Sequence, residues 1–218
     1  MISMKYLPIV IFLIASISVC GQGGKDILDN NKDVSEMNNL EIATIGGGCF
    51  WCIEAVFQEL KGVEKVESGY AQGDVKNPSY KEVGTGSTGH NEVVRVYFNP
   101  KIVSFVEVLE VFFTVHDPTT LNRQGNDVGT QYRSGIYFHN AEQEKTANEI
   151  IDKLNQSGAY NSLIVTEVEE VGDFYIAEQY HQDYYSLNSS QPYCAMVVKP
   201  KVDKFKKVFA DRVKETAK

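Results

Sequence analysis

The chain has 218 residues, of which 43% are hydrophobic and 23% are charged, and this composition supplies enough apolar surface for one well-buried core. Its net charge is -8, and its Lys and Arg residues form none of the basic clusters that hold a phosphate backbone. We therefore expect one folded domain and no nucleic-acid partner.

An export signal is predicted at the start of the chain. Lys5 precedes an apolar run over residues 7–19, which is too short to span a bilayer comfortably. Cys20 closes a segment that resembles a bacterial lipobox, although Val19 stands where Gly or Ala is usual. Residues 1–20 are therefore expected to be a signal peptide of an exported protein. Two outcomes stay open: a lipid on Cys20 with membrane attachment, or cleavage and release into the periplasm.

A linker separates this signal from the folded domain, which is expected over residues 41–213. Residues 21–40 are rich in Gly, Asn, Asp and Lys, so they have little to bury and should be flexible. Without the signal, the chain keeps three cysteines, which are Cys49, Cys52 and Cys194. An odd number in an exported protein leaves at least one thiol free or exchanging, which favours redox chemistry over structural disulfides.

Strand and helix patterns alternate along the domain. Apolar alternation predicts strands over residues 40–45, 63–70, 92–98, 133–139 and 163–171. Helical spacing and cap residues predict helices between Cys49 and Gly62, from Ser104 to near His116, from Asn140 to Gly158 and over residues 202–213. A loop up to residue 91 and a tyrosine-rich segment, residues 174–193, receive no regular assignment. The order indicates an α+β fold in two layers, with helices packed on a mixed sheet.

Cys49 is the first candidate for chemistry. It follows Gly46-Gly47-Gly48 and precedes an amphipathic helix, so it should occupy the helix N-terminus. Unpaired backbone N–H groups and the positive end of the helix dipole favour a thiolate there, and the thiolate is the nucleophilic form. The glycines let the backbone turn sharply and approach a ligand. The neighbouring Phe50 and Trp51 favour a reactive thiol over a buried structural cysteine.

Cys52 adds the Cys-x-x-Cys spacing of disulfide oxidoreductases, one helical turn from Cys49. Such a pair can form a disulfide or bind a metal. A zinc site normally needs four ligands, and His90, His116 and His139 are scattered along the chain. We therefore expect no metal site.

Glu92 is the candidate acid. It shares the more apolar face of its strand with Val94, Val96 and Phe98. Burial on that face would raise its pKa and keep a fraction protonated near neutral pH, which suits a general acid. A carboxylate that turns to solvent at the strand start is the alternative.

Five short motifs occur in a fixed order. They are Gly48-Cys49-Phe50-Trp51, Asn77-Pro78-Ser79-Tyr80, Thr88-Gly89-His90-Asn91-Glu92, His116-Asp117-Pro118, and a last one that starts at Arg123-Gln124-Gly125-Asn126-Asp127 and ends at Tyr132-Arg133-Ser134. Together they resemble the A-type peptide-methionine sulfoxide reductases over about residues 42–209. The resemblance implies a ferredoxin-like core. It also implies reduction of the S epimer of free and peptide-bound methionine sulfoxide, for the repair of oxidised proteins.

The resemblance further implies a role for each catalytic residue. Cys49 would attack the sulfoxide sulfur, and Glu92 would donate a proton to the sulfoxide oxygen. Tyr80 and Tyr132 would donate hydrogen bonds to that oxygen. Asp127, which sits in an otherwise ordinary loop, would support the site through water or by orienting its neighbours. Cys49 would be left as a sulfenic acid.

Substrate binding and the second half of the cycle also follow from the resemblance. Phe50 and Trp51 would hold the substrate methyl group. Cys194, expected on a flexible C-terminal segment, is favoured as the resolving thiol that forms the disulfide, with Cys52 as the alternative. A thioredoxin-like donor outside the cytoplasm would then reduce the disulfide. No bound cofactor is implied, and we expect a monomer.

Two other functions remain open at this point. A general thiol-disulfide oxidoreductase would use Cys49 and Cys52 directly and would not need Glu92. A lipid-anchored binding module would use the aromatic pocket and keep Cys49 as a structural residue.

Overall fold

The structure is a computed structural model and describes residues 39–215. The expected signal peptide, Cys20 and residues 21–38 of the expected linker lie outside this range. Within it, no helix combines the length and apolar character needed to cross a bilayer.

Residues 39–215 contain eight strands, which form one large sheet and one short hairpin. They are β1 (Glu41–Gly47), β2 (Val63–Ala71), β3 (Asn91–Phe98), β4 (Arg123–Gln124), β5 (Asp127–Val128), β6 (Ser134–Phe138), β7 (Glu167–Glu170) and β8 (Phe174–Ile176). The large sheet has the order β7-β6-β1-β3-β2-β8, and β4 and β5 form the hairpin. Only β6 and β7 pair in parallel; the other neighbours in the large sheet are antiparallel. The sheet is therefore mixed, as predicted.

The helices follow the strands closely in the chain. They are α1 (Phe50–Gln58), α2 (Tyr80–Gly84), α3 (Phe105–Val115), α4 (Ala141–Ser157), α5 (Tyr184–Asn188) and α6 (Lys199–Val208). A π-helical segment, Cys194–Val198, runs directly into α6. The central elements β1-α1-β2-β3-α3-β6 with strand order β6-β1-β3-β2 make a ferredoxin-like core, so the expected fold class is confirmed.

The main core lies between the sheet and the helices. Val56 and Phe57 of α1 and Phe112 of α3 are fully buried in one cluster with Val94 and Val96 of β3. Burying each such side chain stabilises the fold by about 1.5–3 kcal/mol. The opposite face of the sheet carries a smaller cluster of Ala71, Val93 and Tyr137, against which Val171 and Phe174 pack.

Helix caps follow the sequence closely. The predicted capping box of α3 is present, because Ser104 accepts from the Glu107 N–H and the Glu107 carboxylate accepts from the Ser104 N–H. Asn140 caps α4 by accepting from the Gln143 N–H at 2.9 Å. Gly158 ends that helix in the left-handed conformation, with φ of 66°.

Three secondary-structure predictions are wrong. The strand predicted over residues 163–171 is limited to Glu167–Glu170, the four residues that pair with β6. The predicted loop before residue 91 contains α2, whose capping box, Ser79 with Glu82, is a readable signal that the prediction missed. The last helix, predicted over residues 202–213, spans Lys199–Val208 and continues directly from the π-helical segment.

Candidate active site

The turn between β1 and α1 places Cys49. Gly48 has φ of +89°, and a Cβ there would lie 2.5 Å from the Gln124 side chain. A Cβ on Gly46 would overlap Asn91, and one on Gly47 would come within 2.9 Å of Phe112. Close protein packing therefore explains the glycine run, where the sequence had suggested close approach of a ligand.

Cys49 occupies the N-cap position of α1, as predicted, and its side chain makes no capping hydrogen bond. It is only 7% exposed. The first N–H of the helix, that of Phe50, donates instead to Glu92 Oε2 at 3.1 Å. The positive end of the helix thus contacts the carboxylate of Glu92 rather than the sulfur of Cys49.

The expected lowering of the Cys49 pKa is wrong for the resting protein. Burial raises the pKa of the Cys49 thiol well above its usual value, and its hydrogen bond with Cys52 and the charge of Glu92 act in the same direction. Conversely, the hydrogen bond from Cys49 lowers the pKa of the Cys52 thiol. Cys49 therefore keeps its proton in the resting site, and its thiol is hydrogen-bonded to that of Cys52.

Glu92 lies on the apolar face of β3 and is 2% exposed, which confirms the predicted burial. Burial raises its pKa to about 8, although the hydrogen bond from Phe50 opposes the shift. At neutral pH most of this carboxyl is protonated. A proton is thus available beside the buried thiol.

Tyr80 and Tyr132 reach the same place from different elements. Tyr80 is the first residue of α2, and Tyr132 ends a 3₁₀ turn, Thr130–Tyr132. Burial and the charges of Glu92 and Cys49 raise the pKa of both phenols far above their usual value. Both phenols therefore stay protonated and can donate hydrogen bonds next to Glu92 and Cys49.

Asp127 reaches the thiol through Tyr193. The Tyr193 hydroxyl donates to Asp127 Oδ2 at 2.8 Å, and it also forms a hydrogen bond with the Cys49 thiol. Sequence reasoning missed Tyr193. Its position next to Cys194 was the available signal. The hairpin of β4 and β5 is thus linked to the Cys49 thiol through Tyr193.

Phe50 and Trp51 stand in an aromatic cluster beside Cys49. Phe50 is 1% exposed and stacks on Tyr80, with 6.4 Å between the ring centroids. The Trp51 ring stacks on Tyr184 at 3.7 Å, and its Nε1–H donates to His181 Nδ1 at 3.1 Å. Neither His181 nor Tyr184 could be assigned from the sequence, because no local pattern marks them.

Cys194 is the first residue of the π-helical segment, and none of its surface is exposed. The flexible segment expected around it is therefore a helix. Burial and the charge of Cys52 raise the pKa of the Cys194 thiol.

The histidines serve separate local contacts. His90 Nε2 lies 2.7 Å from the Val75 carbonyl oxygen, and His116 Nε2 lies 2.8 Å from Ser134 Oγ. In the part of the chain that the structure describes, no three His, Cys, Asp or Glu side chains come together as metal ligands would.

A sequence model of a protein family, "Peptide methionine sulfoxide reductase", matches residues 41–213. The peptide methionine sulfoxide reductase MsrA of Trichodesmium erythraeum is 52% identical over 80% of this chain and 98% of its own length. The corresponding protein of Saccharolobus solfataricus is 53% identical over the same two shares.

Two solved structures share the fold. Methionine sulfoxide reductase A of Corynebacterium diphtheriae is 39% identical, with a TM-score of 0.66 over 69% of this chain and 76% of that chain. Reduced Mxr1 of Saccharomyces cerevisiae is 34% identical, with a TM-score of 0.66 over 72% of this chain and 90% of that chain.

A buried thiol at a helix N-terminus, beside a protonated carboxyl and two phenols, defines a thiol-dependent oxidoreductase. The match over residues 41–213 then fixes the family. The chain belongs to the peptide methionine sulfoxide reductases, and the reaction it catalyses is the reduction of methionine sulfoxide.

Proposed function

We propose that the protein reduces the S epimer of methionine sulfoxide, free or within a polypeptide, with Cys49 as nucleophile and Glu92 as general acid. One observation carries this assignment: the buried Glu92 carboxyl, whose pKa is raised to about 8, accepts a hydrogen bond from the Phe50 N–H at the N-terminus of α1, next to the Cys49 thiol. A general thiol-disulfide exchanger has no use for the proton of this carboxyl. Sulfoxide reduction needs that proton, because the oxygen leaves the sulfur more readily once it is protonated.

The first step transfers oxygen to Cys49. The sulfoxide oxygen takes the Glu92 proton, Cys49 attacks the sulfoxide sulfur to form a transient S–S bond, and the thiol proton passes to Glu92. The hydroxyl group then moves from the substrate sulfur to the Cys49 sulfur as the S–S bond breaks. Methionine leaves and Cys49 becomes a sulfenic acid, so sulfur is reduced in the substrate and oxidised in the protein. Tyr80 and Tyr132 donate hydrogen bonds to the oxygen while its negative charge develops.

The aromatic cluster holds the methyl group of the substrate. Phe50 and Trp51 present apolar ring surface beside Cys49, which suits a methyl group attached to the reacting sulfur. In the resting site the Tyr193 hydroxyl donates its single proton to Asp127; when the Cys49 proton departs, the hydroxyl turns to donate to the charged sulfur instead.

Cys52 is the first resolving thiol in this proposal. It already contacts Cys49, its lowered pKa favours the nucleophilic thiolate, and it lies one helical turn away. Attack of Cys52 on the sulfenic acid forms a disulfide and releases water. Cys194, whose thiol responds to the charge of Cys52, then exchanges with that disulfide. The sequence alone had favoured Cys194 for the first attack.

The resolving order can be measured by trapping the sulfenic acid with dimedone after one equivalent of substrate. Cys52→Ser should accumulate the adduct on Cys49, whereas Cys194→Ser should form the disulfide between Cys49 and Cys52. The reverse pattern would assign the first attack to Cys194.

A thioredoxin-like dithiol protein completes the cycle. Each turnover converts two thiols to a disulfide, so two electrons must return through thiol exchange. We also propose export, with Cys20 as a lipid-bearing N-terminus, because residues 1–20 combine a basic start, an apolar run and a lipobox-like end. Mass spectrometry of the membrane fraction tests this: a lipid mass on Cys20 supports it, and an intact Met1 contradicts it.

Separated epimers of methionine sulfoxide test the reaction itself. With dithiothreitol as reductant, the S epimer should yield methionine catalytically and the R epimer should not react. Reduction of insulin disulfides that is independent of Glu92 and faster than either epimer would instead identify a disulfide exchanger.

A further inference from the structure

Glu54 is a buried acid that the proposed reaction does not use. It lies on α1 and is only 1% exposed. Among residues 39–215, no Lys or Arg forms an ion pair with it. Burying a carboxyl without a cation is costly, so its hydrogen bonds must account for its presence.

The Glu54 carboxylate accepts two backbone hydrogen bonds from the start of α5. Its Oε1 accepts from the Asp183 N–H at 3.0 Å, and its Oε2 accepts from the Tyr184 N–H at 3.2 Å. These two bonds lower the pKa of Glu54, but burial is stronger and raises it to about 7. Glu54 thus caps a helix that belongs to a distant part of the chain.

Asp183 cannot provide this cap itself. It stands at the N-cap position of α5 in the left-handed conformation, with φ of 54°, and makes no capping bond. Its own Oδ1 accepts from Gln58 Nε2 at 2.6 Å instead. The hydrogen bonds of Glu54 and of Gln58 both connect α1 with the start of α5. The Glu54 side chain is buried, whereas the Gln58–Asp183 bond is exposed.

The same short segment covers the Trp51 ring. Trp51 and Glu54 are three positions apart on α1, so they lie on one side of the helix. The backbone N–H of Tyr184 donates to Glu54, and the ring of the same residue stacks on Trp51 at 3.7 Å with 7° between the planes. One face of α1 therefore carries both the Trp51 ring and the anchor for its cover.

We propose that Glu54 is a positioning residue that fixes the width of the methyl pocket by holding Tyr184 against Trp51. The use of the pocket by the substrate methyl group rests on the proposed function; the anchoring of Tyr184 does not. Without the anchor, Tyr184 swings away, Trp51 gains freedom, and methionine sulfoxide binds less tightly while the chemistry at Cys49 continues.

Glu54→Gln tests the anchor with little change in shape. Glutamine has one carbonyl acceptor, and its amide nitrogen would face the second backbone N–H, so one of the two bonds is lost. We expect KM for methionine S-sulfoxide to rise about tenfold while kcat changes less than about twofold. Trp51 is the single tryptophan of the chain, so its emission reports the stack directly, and we expect a red shift in the variant.

Glu59→Gln is the matched control. Glu59 follows α1 and pairs with Lys206 at 2.9 Å on the surface, so its neutralisation should change neither KM nor the emission. Tyr184→Leu is the second variant, because it keeps both backbone bonds and removes only the stack. It should reproduce the rise in KM and the red shift.

The outcomes test the positioning role of Glu54 and the proposed function separately. An unchanged KM in Glu54→Gln, or a fall in kcat with no change in KM, overturns the positioning role. So does a variant emission equal to that of the wild type. If wild-type protein does not reduce methionine sulfoxide but Glu54→Gln still shifts the emission, the proposed function fails and the anchoring of Tyr184 stands.

Discussion

Two regions build the site in different ways. Residues 46–52 bring Cys49, Phe50 and Cys52 to the start of α1 through a strand, a glycine turn and a helix. The tyrosine-rich segment places His181 in a 3₁₀ turn, Tyr184 at the start of α5 and Tyr193 just before the π-helical segment. The first region is placed by local structure, and the second by contacts across the fold.

The first region supplies the reacting groups, and the second shapes the pocket around them. In residues 46–52, the local backbone conformation places the Cys49 sulfur, and hydrogen bonds with Cys52 and Tyr193 complete its surroundings. In the tyrosine-rich segment, the functional rings are held by contacts with residues more than 60 positions away. Tyr193 and His181 form hydrogen bonds with Asp127 and Trp51, and Tyr184 stacks on Trp51. Changes to the first region and to Glu92 should therefore reduce kcat, whereas changes to the second should act mainly on binding and on the state of the thiols.

Glu92→Gln should give the largest loss among variants that keep the nucleophile. The substitution removes the proton donor but preserves shape, so we expect kcat to fall by about 10²–10⁴. Stopped-flow measurement of the first turnover checks this. The exposed Glu64 of β2 provides the control, because Glu64→Gln should leave the rate unchanged. Equal rates for wild type and Glu92→Gln would remove the acid from the mechanism.

The pH dependence of kcat/KM should report the titration of Glu92. Glu92 has a pKa of about 8, so it is protonated below that pH and loses its proton above it. An acid catalyst is active in the protonated form, and kcat/KM should therefore fall about tenfold per pH unit above pH 8. This limb of the profile should disappear in Glu92→Gln. A profile that stays flat or rises from pH 8 to 9.5 would contradict the assignment.

Tyr193→Phe tests the second region. The variant loses the hydroxyl that bonds to Asp127 and to the Cys49 thiol but keeps the ring against Trp51. We expect about a tenfold lower rate of sulfenic acid formation, because a charge-stabilising hydrogen bond is removed. Tyr97→Phe loses a similar bond, to Glu67, and should have no effect on this rate. Equal losses in both variants would mean that the effect is on stability alone.

Ser104→Ala should have the smallest effect. It breaks the capping box of α3, which lies in the regular part of the fold, so the free energy of unfolding should fall by about 1 kcal/mol. Urea denaturation measures this change, and kcat and KM should stay at the wild-type values. A tenfold change in KM would show that α3 controls the pocket, and it would contradict the assignment of substrate binding to the tyrosine-rich segment.

Local sequence signals predicted much of the fold and the chemical half of the site. The glycine turn, the apolar alternation around Glu92 and the Ser104 and Asn140 caps depend on near neighbours, so they can be read from the chain. The reversed shift of the Cys49 pKa could not be read, because it depends on burial and on Glu92 taking the first helix N–H.

The position of Tyr184 could not be predicted from the sequence either, because it depends on contacts between residues far apart in the chain. Tyr184 has its place because Glu54 caps α5 from 129 and 130 residues away in the chain, and no local pattern connects the two. The π-helical start of the last helix likewise buries Cys194, where a flexible segment had been expected.

The central claim is that Cys49 takes the oxygen from the sulfoxide, and one measurement tests it most directly. Reduced protein is mixed with one equivalent of methionine S-sulfoxide without added reductant, and the methionine formed and the protein mass are measured. We predict one methionine per protein, a loss of two hydrogens from the protein through a new disulfide that includes Cys49, and neither change in Cys49→Ser. Stoichiometric methionine from Cys49→Ser would contradict the account.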